Sequence, residues 1–240
     1  MGTASEHVFE ELRLATRILA GEGVLDGFGH VSARNPQQEA HYCMVRDNAP
    51  DSDDADCIVE FDRESNPVAK DGPPPSIERF IHGEIYKARR DVKAIVHTHA
   101  PALVAFGVAA TQLRPLYHMC GFLGAGAPVF DVAQEHGMTN MLVTTPAMGR
   151  SLARCLGKSA VVLLRGHGAT VVGASLKEAV FRTLYANLNA QVQPVAMQLG
   201  NPQYLSAQEA FLADDLHQSV VDRPWKFLAK KWCTVAQSRG

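Results

Sequence analysis

The 240-residue chain has little cysteine: Cys43, Cys57, Cys120, Cys155 and Cys233 are odd in number, scattered, and include no C-x-x-C pair. Reduced thiols that mostly fill the core are expected, and no cysteine nucleophile. Charge of one sign is also missing. A formal net charge of −2 gives no electrostatic reason to expect nucleic acid or an anionic membrane as partner. No apolar run approaches the length of a bilayer span, and Met1-Gly2-Thr3-Ala4-Ser5-Glu6-His7 lacks the basic-then-apolar order of a signal peptide. A soluble, cytoplasmic protein is the expectation. There is no internal repeat and no low-complexity segment.

What is present suffices for a substantial core. With 46% hydrophobic residues, the chain is expected to fold as a single α/β domain over 1–240, with its core at about 8–222 and residues 223–240 packing on the body or on a neighbouring subunit. Val8, Leu12, Ala15 and Leu19 mark one face of a helix that stops at Gly21-Glu22-Gly23. Strands are predicted at 41–45, 57–61, 160–164 and 169–172. Helices are predicted from Ser76, from Pro101 to Val108, from Thr145-Pro146 to Gly157, and from the capping patterns Ser175-x-x-Glu178 and Ser206-x-x-Glu209. Ser76 as N-cap places Glu78 and Arg79 in the first helical turn, with Ile77, Ile81 and Ile85 as the buried face. The acidic stretch from Asp51 to Asp56 is expected to be solvated, without metal.

The histidines carry the chemistry. Ala94-Ile95-Val96-His97-Thr98-His99 is an apolar run ending in a His-x-His pair. Alternation along a strand sends His97 and His99 to one face with Cα atoms about 6.6 Å apart, close enough to share an ion. His167 follows the apolar run Val161 to Leu164 in a Gly-His-Gly turn. Three neutral imidazoles with an open position suit a catalytic metal centre. Asp26-Gly27-Phe28-Gly29-His30-Val31-Ser32 reads either as a substrate loop delivering His30 and Ser32 or as a tight turn into a strand. Tyr117 and His118 form a polar pair in apolar surroundings. Arg79 gains nothing from the helix dipole at a helix start, which points to an anionic substrate.

Taken together, Gly29-His30-Val31-Ser32-Ala33-Arg34, Ser76-Ile77-Glu78-Arg79-Phe80-Ile81-His82, His97-Thr98-His99 and Gly166-His167-Gly168 resemble the class II aldolase/adducin family from about Leu12 to Glu209. The resemblance implies a central, mostly antiparallel β-sheet flanked by helices. It implies His97, His99 and His167 as ligands of one divalent metal per subunit, and Glu78 as a catalytic glutamate that can also ligate the resting metal. It further implies a homotetramer with active sites at subunit boundaries. Imidazole ligands suit zinc first, with manganese, iron or cobalt as alternatives.

Departures from the sugar-phosphate members bear on the substrate. Where those resemble one another in an asparagine, a Thr-Gly turn and paired serines, this chain has His30, Arg46-Asp47-Asn48 and Ser76-Ile77, so the phosphate cradle is largely gone. Glu78 to Tyr86, Tyr117-His118-Met119 and Arg165 to Gly168 resemble instead the branch of 3-hydroxy-2-methylpyridine-4,5-dicarboxylate and dihydroxyphthalate decarboxylases. A metal-dependent, non-oxidative decarboxylase of a hydroxylated aromatic (di)carboxylic acid is therefore expected. Glu78 first and His118 second are the proton carriers, and His30, Ser32, Arg46, Arg79 and Tyr117 the substrate contacts. The alternatives are an aldolase acting on a hydroxy-carbonyl substrate and a non-catalytic adducin-like scaffold.

Overall fold

The computed structural model describes residues 4–45, 57–69, 71 and 74–237. In chain order these form α1 (Ala4–Gly21), β1 (His30–Arg34), β2 (Tyr42–Val45), β3 (Ile58–Phe61), α2 (Arg79–Ala88), β4 (Ala94–Thr98) and α3 (Pro101–Val108). A 3-10 helix (His118–Leu123), β5 (Val129–Phe130), α4 (Val132–His136), α5 (Pro146–Leu156), β6 (Val161–Leu164) and β7 (Gly168–Gly173) follow, then α6 (Leu176–Leu199), α7 (Ala207–Val220) and α8 (Asp222–Gln237). The strands make one seven-stranded sheet in the order β3-β2-β1-β4-β7-β6-β5. Every pairing is antiparallel except β5 with β6, so the expected mostly antiparallel sheet with flanking helices is present.

Alternation along β4 sorts its side chains between two cores. Ala94 and Val96 pack with α1 and α6, among Leu12, Ile18, Leu19 and Val180. Ile95 packs on the other face with α2 and α5, among Ile81, Ile85 and Leu152. His97 lies two residues after Ile95 and so shares its face. A third cluster joins α3, the 3-10 helix and α6 through Leu103, Phe122 and Phe181.

Local signals explain most element ends. Thr145 caps α5 by accepting from the Met148 N–H, Pro146 opens it, and Gly157 closes it at φ 53°. Ser206 and Glu209 make a complete capping box on α7. The start of α2 differs from expectation. Ser76 accepts a hydrogen bond from the Glu78 N–H at 3.3 Å, but the helix begins at Arg79. Ile77 therefore lies outside it and is 58% exposed, while Ile81 and Ile85 are buried as expected.

The 112–116 segment is held without a strand partner. The side chains of Asn189 and Gln193 on α6 accept from the N–H groups of Leu116 and Arg114 at 3.0 Å each, and donate to the carbonyls of Arg114 and Gln112 at 2.8 Å each. The C-terminal helix α8 packs on the body: Trp225 is buried, and Trp232 Nε1 donates to Glu22 Oε1 at 2.8 Å. No helix among the described residues is long and apolar enough to cross a membrane. The acidic 51–56 stretch and Arg46 lie outside the described residues.

Helices α2 and α5 approach closely at Gly149, where an added Cβ would collide with the Phe80 carbonyl oxygen. Gly149→Ala is expected to lower stability by about 1–3 kcal/mol through overpacking, read as a drop in the urea midpoint at unchanged m-value.

Candidate metal centre

Strand register builds the site. In antiparallel pairs, directly opposed residues project to one face, and His30 on β1 faces His97 on β4, which in turn faces Thr170 on β7. The three form one row across neighbouring strands, on the face covered by α2 and α5. His99 follows β4 and reaches the same point: His97 Nε2 and His99 Nε2 lie 3.2 Å apart. His167 arrives from the three-residue connection between β6 and β7, in which Gly166 takes φ 63°. The residue after His167 must also be glycine on steric grounds, since a Cβ at Gly168 would collide with the Thr98 carbonyl oxygen. Glu78, at the N-cap position of α2, brings Oε2 to 3.5 Å from His167 Nε2 and 4.0 Å from His97 Nε2.

Glu78, His97, His99 and His167 thus offer four ligand atoms within 4.8 Å of one another. The chemistry of this donor set fits a divalent cation. His97 is fully buried, and burial holds its pKa well below the ordinary imidazole value, so it is a neutral lone-pair donor. Burial acts to raise the Glu78 pKa, but hydrogen bonding and charge from His167 and the Val143 N–H bond outweigh it, so the carboxyl sits below its ordinary range and is ionised. The Val143 N–H donates to Glu78 Oε1 at 2.9 Å, leaving Oε2 turned to the histidines.

Two residues that the sequence reading gave no role orient the candidate ligands. Asp26 accepts from His99 Nδ1 at 3.0 Å, which fixes the tautomer whose Nε2 lone pair faces the cluster. The same carboxylate also accepts from the N–H groups of Phe28 and Gly29, so it shapes the loop before β1. Thr170 Oγ1 holds His97 Nδ1 at 3.2 Å. Asp26 was visible only as the start of a glycine-rich loop, and Thr170 as one more β-branched strand residue.

The other expected contacts divide. His30 is buried against His97, with ring centroids 5.0 Å apart, and lines the cavity beside the cluster; burial pushes its pKa down to about 4. Ser32 points to the same face but is fully buried, bonded to His82 and Tyr86. The loop is a tight turn into β1, and Asp26, Gly27 and Phe28 within it line the cavity. Arg79 is used structurally: it donates to the carbonyls of Ser65 at 2.8 Å and Ser76 at 3.0 Å and stacks on Phe80. Tyr117 and His118 stand by the 3-10 helix, where their rings meet Tyr185 and His217; neither lines the cavity. Arg46 lies outside the described residues.

The cavity has a volume of 590 Å³. One wall is apolar, from Phe28, Pro75, Ile77 and Leu142, and no lysine or arginine is among the described residues lining it.

The family model for the Class II Aldolase and Adducin N-terminal domain matches residues 10–193. The chain belongs to this family. A curated relative, Decarboxylase tropJ of Talaromyces stipitatus, is 37% identical over 89% of this chain and 90% of its own length. A 3,4-dihydroxyphthalate decarboxylase of Terrabacter is 30% identical over 71% of this chain and 73% of its own. Among solved structures, an aldolase II superfamily protein from Pseudomonas syringae superposes with TM-score 0.78 at 22% identity, covering 97% of this chain and 94% of that one. The common fold is the one expected from the motifs.

Replacing Asp26 by Ala is expected to weaken divalent-metal affinity by about 10–100-fold while keeping stoichiometry at saturation. His97→Ala should abolish binding in a protein whose far-ultraviolet circular dichroism is unchanged. Elemental analysis after dialysis and metal titration check both, and full metal occupancy in His97→Ala would refute the ligand assignment.

Proposed function

We propose that this chain is a divalent-metal-dependent, non-oxidative decarboxylase acting on an aromatic acid with a hydroxyl next to the departing carboxylate. One observation carries the reading: Glu78, His99 and His167 line a cavity with an apolar wall and no lysine or arginine in its described lining, with His97 buried directly behind them. That wall suits an aromatic ring, and a doubly charged phosphate would find no cation to neutralise it among those residues. Identity with curated decarboxylases over most of the chain supports the same reaction class. An adducin-like scaffold role has no use for an intact ligand set.

His97, His99 and His167 would hold the ion, with zinc the first choice, and Glu78 would stand beside it or ligate it at rest. Such an ion supplies Lewis-acid stabilisation of negative charge on a substrate oxygen while the carbon–carbon bond breaks. The chain's own groups do the rest. Phe28, Ile77 and Leu142 take the ring and exclude water from its face. Glu78, steadied through Oε1 by the Val143 N–H, takes up a proton from solvent on Oε2 and passes it to the ring carbon that bears the carboxylate. Loss of carbon dioxide then restores aromaticity. Arg79 is spent on the Ser65 and Ser76 carbonyls, which favours a carboxylate bound at the metal centre over one bound by Arg79.

Glu78→Gln is expected to retain substrate affinity and lower turnover by about 10²–10⁴-fold, the range of general acid–base catalysis. The check is carbon dioxide release from a panel of ortho-hydroxylated aromatic acids, with fuculose 1-phosphate cleavage run beside it. Efficient cleavage of the sugar phosphate with no carbon dioxide from any acid would replace the decarboxylase by an aldolase.

A homotetramer is part of the proposal. Phe211, Leu212, Leu216 and Val220 on α7 and Val192 and Val195 on α6 are exposed apolar side chains. A site shared between copies would also give Tyr117 and His118 a place beside another chain's cavity. Sedimentation velocity is expected to show a tetramer, and an active monomer would exclude this arrangement.

A further inference from the structure

Behind the metal centre, four polar side chains form a continuous hydrogen-bonded line. His30 Nδ1 meets His82 Nε2 at 2.7 Å, His82 Nδ1 meets Ser32 Oγ at 2.6 Å, and Ser32 Oγ meets the Tyr86 hydroxyl at 2.8 Å. All four residues are buried, with Ser32 and His82 wholly inaccessible. The two ends of the line differ from its middle. His30 lines the metal cavity, and its Nε2 is buried with no partner. Tyr86 lines a second, predominantly basic cavity, of 280 Å³, whose rim carries Arg34, Arg63, Lys87 and Arg90 with a single carboxylate, Glu39.

We propose that Tyr86, Ser32, His82 and His30 form a proton relay between the metal cavity and the basic cavity. The geometry permits two directions of the same chain. In one, Tyr86 donates to Ser32, Ser32 to His82 Nδ1, and His82 Nε2–H to His30 Nδ1, so His30 offers an N–H to the metal cavity. In the other, every bond is reversed and His30 offers a lone pair there. Either direction leaves the two inner members with both neighbours satisfied, which is the condition for passing a proton without breaking a buried bond.

The role in turnover rests on the decarboxylase reading. When the bound substrate's hydroxyl ionises, its O–H bond breaks and an N–H bond forms at His30 Nε2. In concert, a proton passes from His30 Nδ1 to His82 Nε2, from His82 Nδ1 to Ser32 Oγ, and from Ser32 Oγ to the Tyr86 oxygen. The Tyr86 O–H proton leaves to water in the basic cavity. Each bond broken is matched by one formed, and each electron pair stays on its atom. When the product oxygen is reprotonated the same steps run inward, and the chain returns to the direction it started from, in which His30 offers a lone pair, with no imidazole ring turning over. The proton that replaces the carboxylate on carbon remains the one carried by Glu78, so the net uptake is one proton per carbon dioxide released.

The test uses the metal-loaded, full-length protein with nitrogen-15-labelled histidine. In ligand-free protein, NMR is expected to show the ring N–H of the inaccessible His82 exchanging with solvent deuterium through the relay. Tyr86→Phe and Ser32→Ala should each slow it by at least about tenfold, because exchange must then wait for local opening. Tyr42→Phe is the control: Tyr42 lines the same basic cavity and packs on Tyr86 at 5.3 Å between centroids, but lies outside the chain, and should leave exchange unchanged. In turnover, Tyr86→Phe is expected to lower kcat by roughly 10²-fold and raise the solvent deuterium isotope effect, at unchanged KM and metal content. Wild-type exchange rates in both relay variants, with carbon dioxide release unaffected, overturn the relay and leave the decarboxylase reading intact. Slowed exchange in a protein that decarboxylates no acid does the converse.

Discussion

The antiparallel register across β1, β4 and β7 is the constraint on which this site depends. Because His30, His97 and Thr170 are opposed in successive pairings, a candidate metal ligand, a cavity residue and the hydroxyl that orients that candidate are delivered together. A slip of one residue in either pairing would send one of them to the α1 and α6 face. Burial of Ile95 against α2 and α5 on one side, and of Val96 against α1 and α6 on the other, makes such a slip expensive. Hydrophobic sorting thus positions polar chemistry, although none of the sorted residues touches the ion site.

Glu78 reaches the site by a different route. It is not in a strand and is not a capping side chain; its carboxylate is held from outside by the Val143 N–H and faced by His167. The four candidate ligands come from three separate chain regions. Their convergence therefore reports correct packing of α2 and α5 on the sheet, and Gly149 is where that packing leaves no spare room.

Much of this was legible from the residues. The His-x-His alternation, the turn histidine and the capping patterns of α5, α6 and α7 follow from local rules, and the structure shows them. The start of α2 was displaced because Ser76 satisfies the Glu78 N–H in a turn before the helix, a competition that a capping pattern cannot resolve. Arg79 looked like an anion site because its charge is misplaced for a helix start, whereas its guanidinium is used by the carbonyls of Ser65 and Ser76. His82 and Tyr86, four residues apart on one helical face, became informative only when β1 placed Ser32 between them. Long-range juxtapositions of this kind leave no trace in a single sequence.

The amides of Asn189 and Gln193 do for the 112–116 segment what a neighbouring strand would do, with a helix as the partner. Both are neutral at every pH and shielded inside the protein, so this mounting responds to neither acidity nor ionic strength. Tyr117 and His118, which follow directly, inherit a base whose position is set by α6 and not by the sheet. Because α6 itself packs on β4 and β7, the pair is tied to the strands that carry His97 and Thr170 through one helix, and a displacement of those strands reaches it only at second hand.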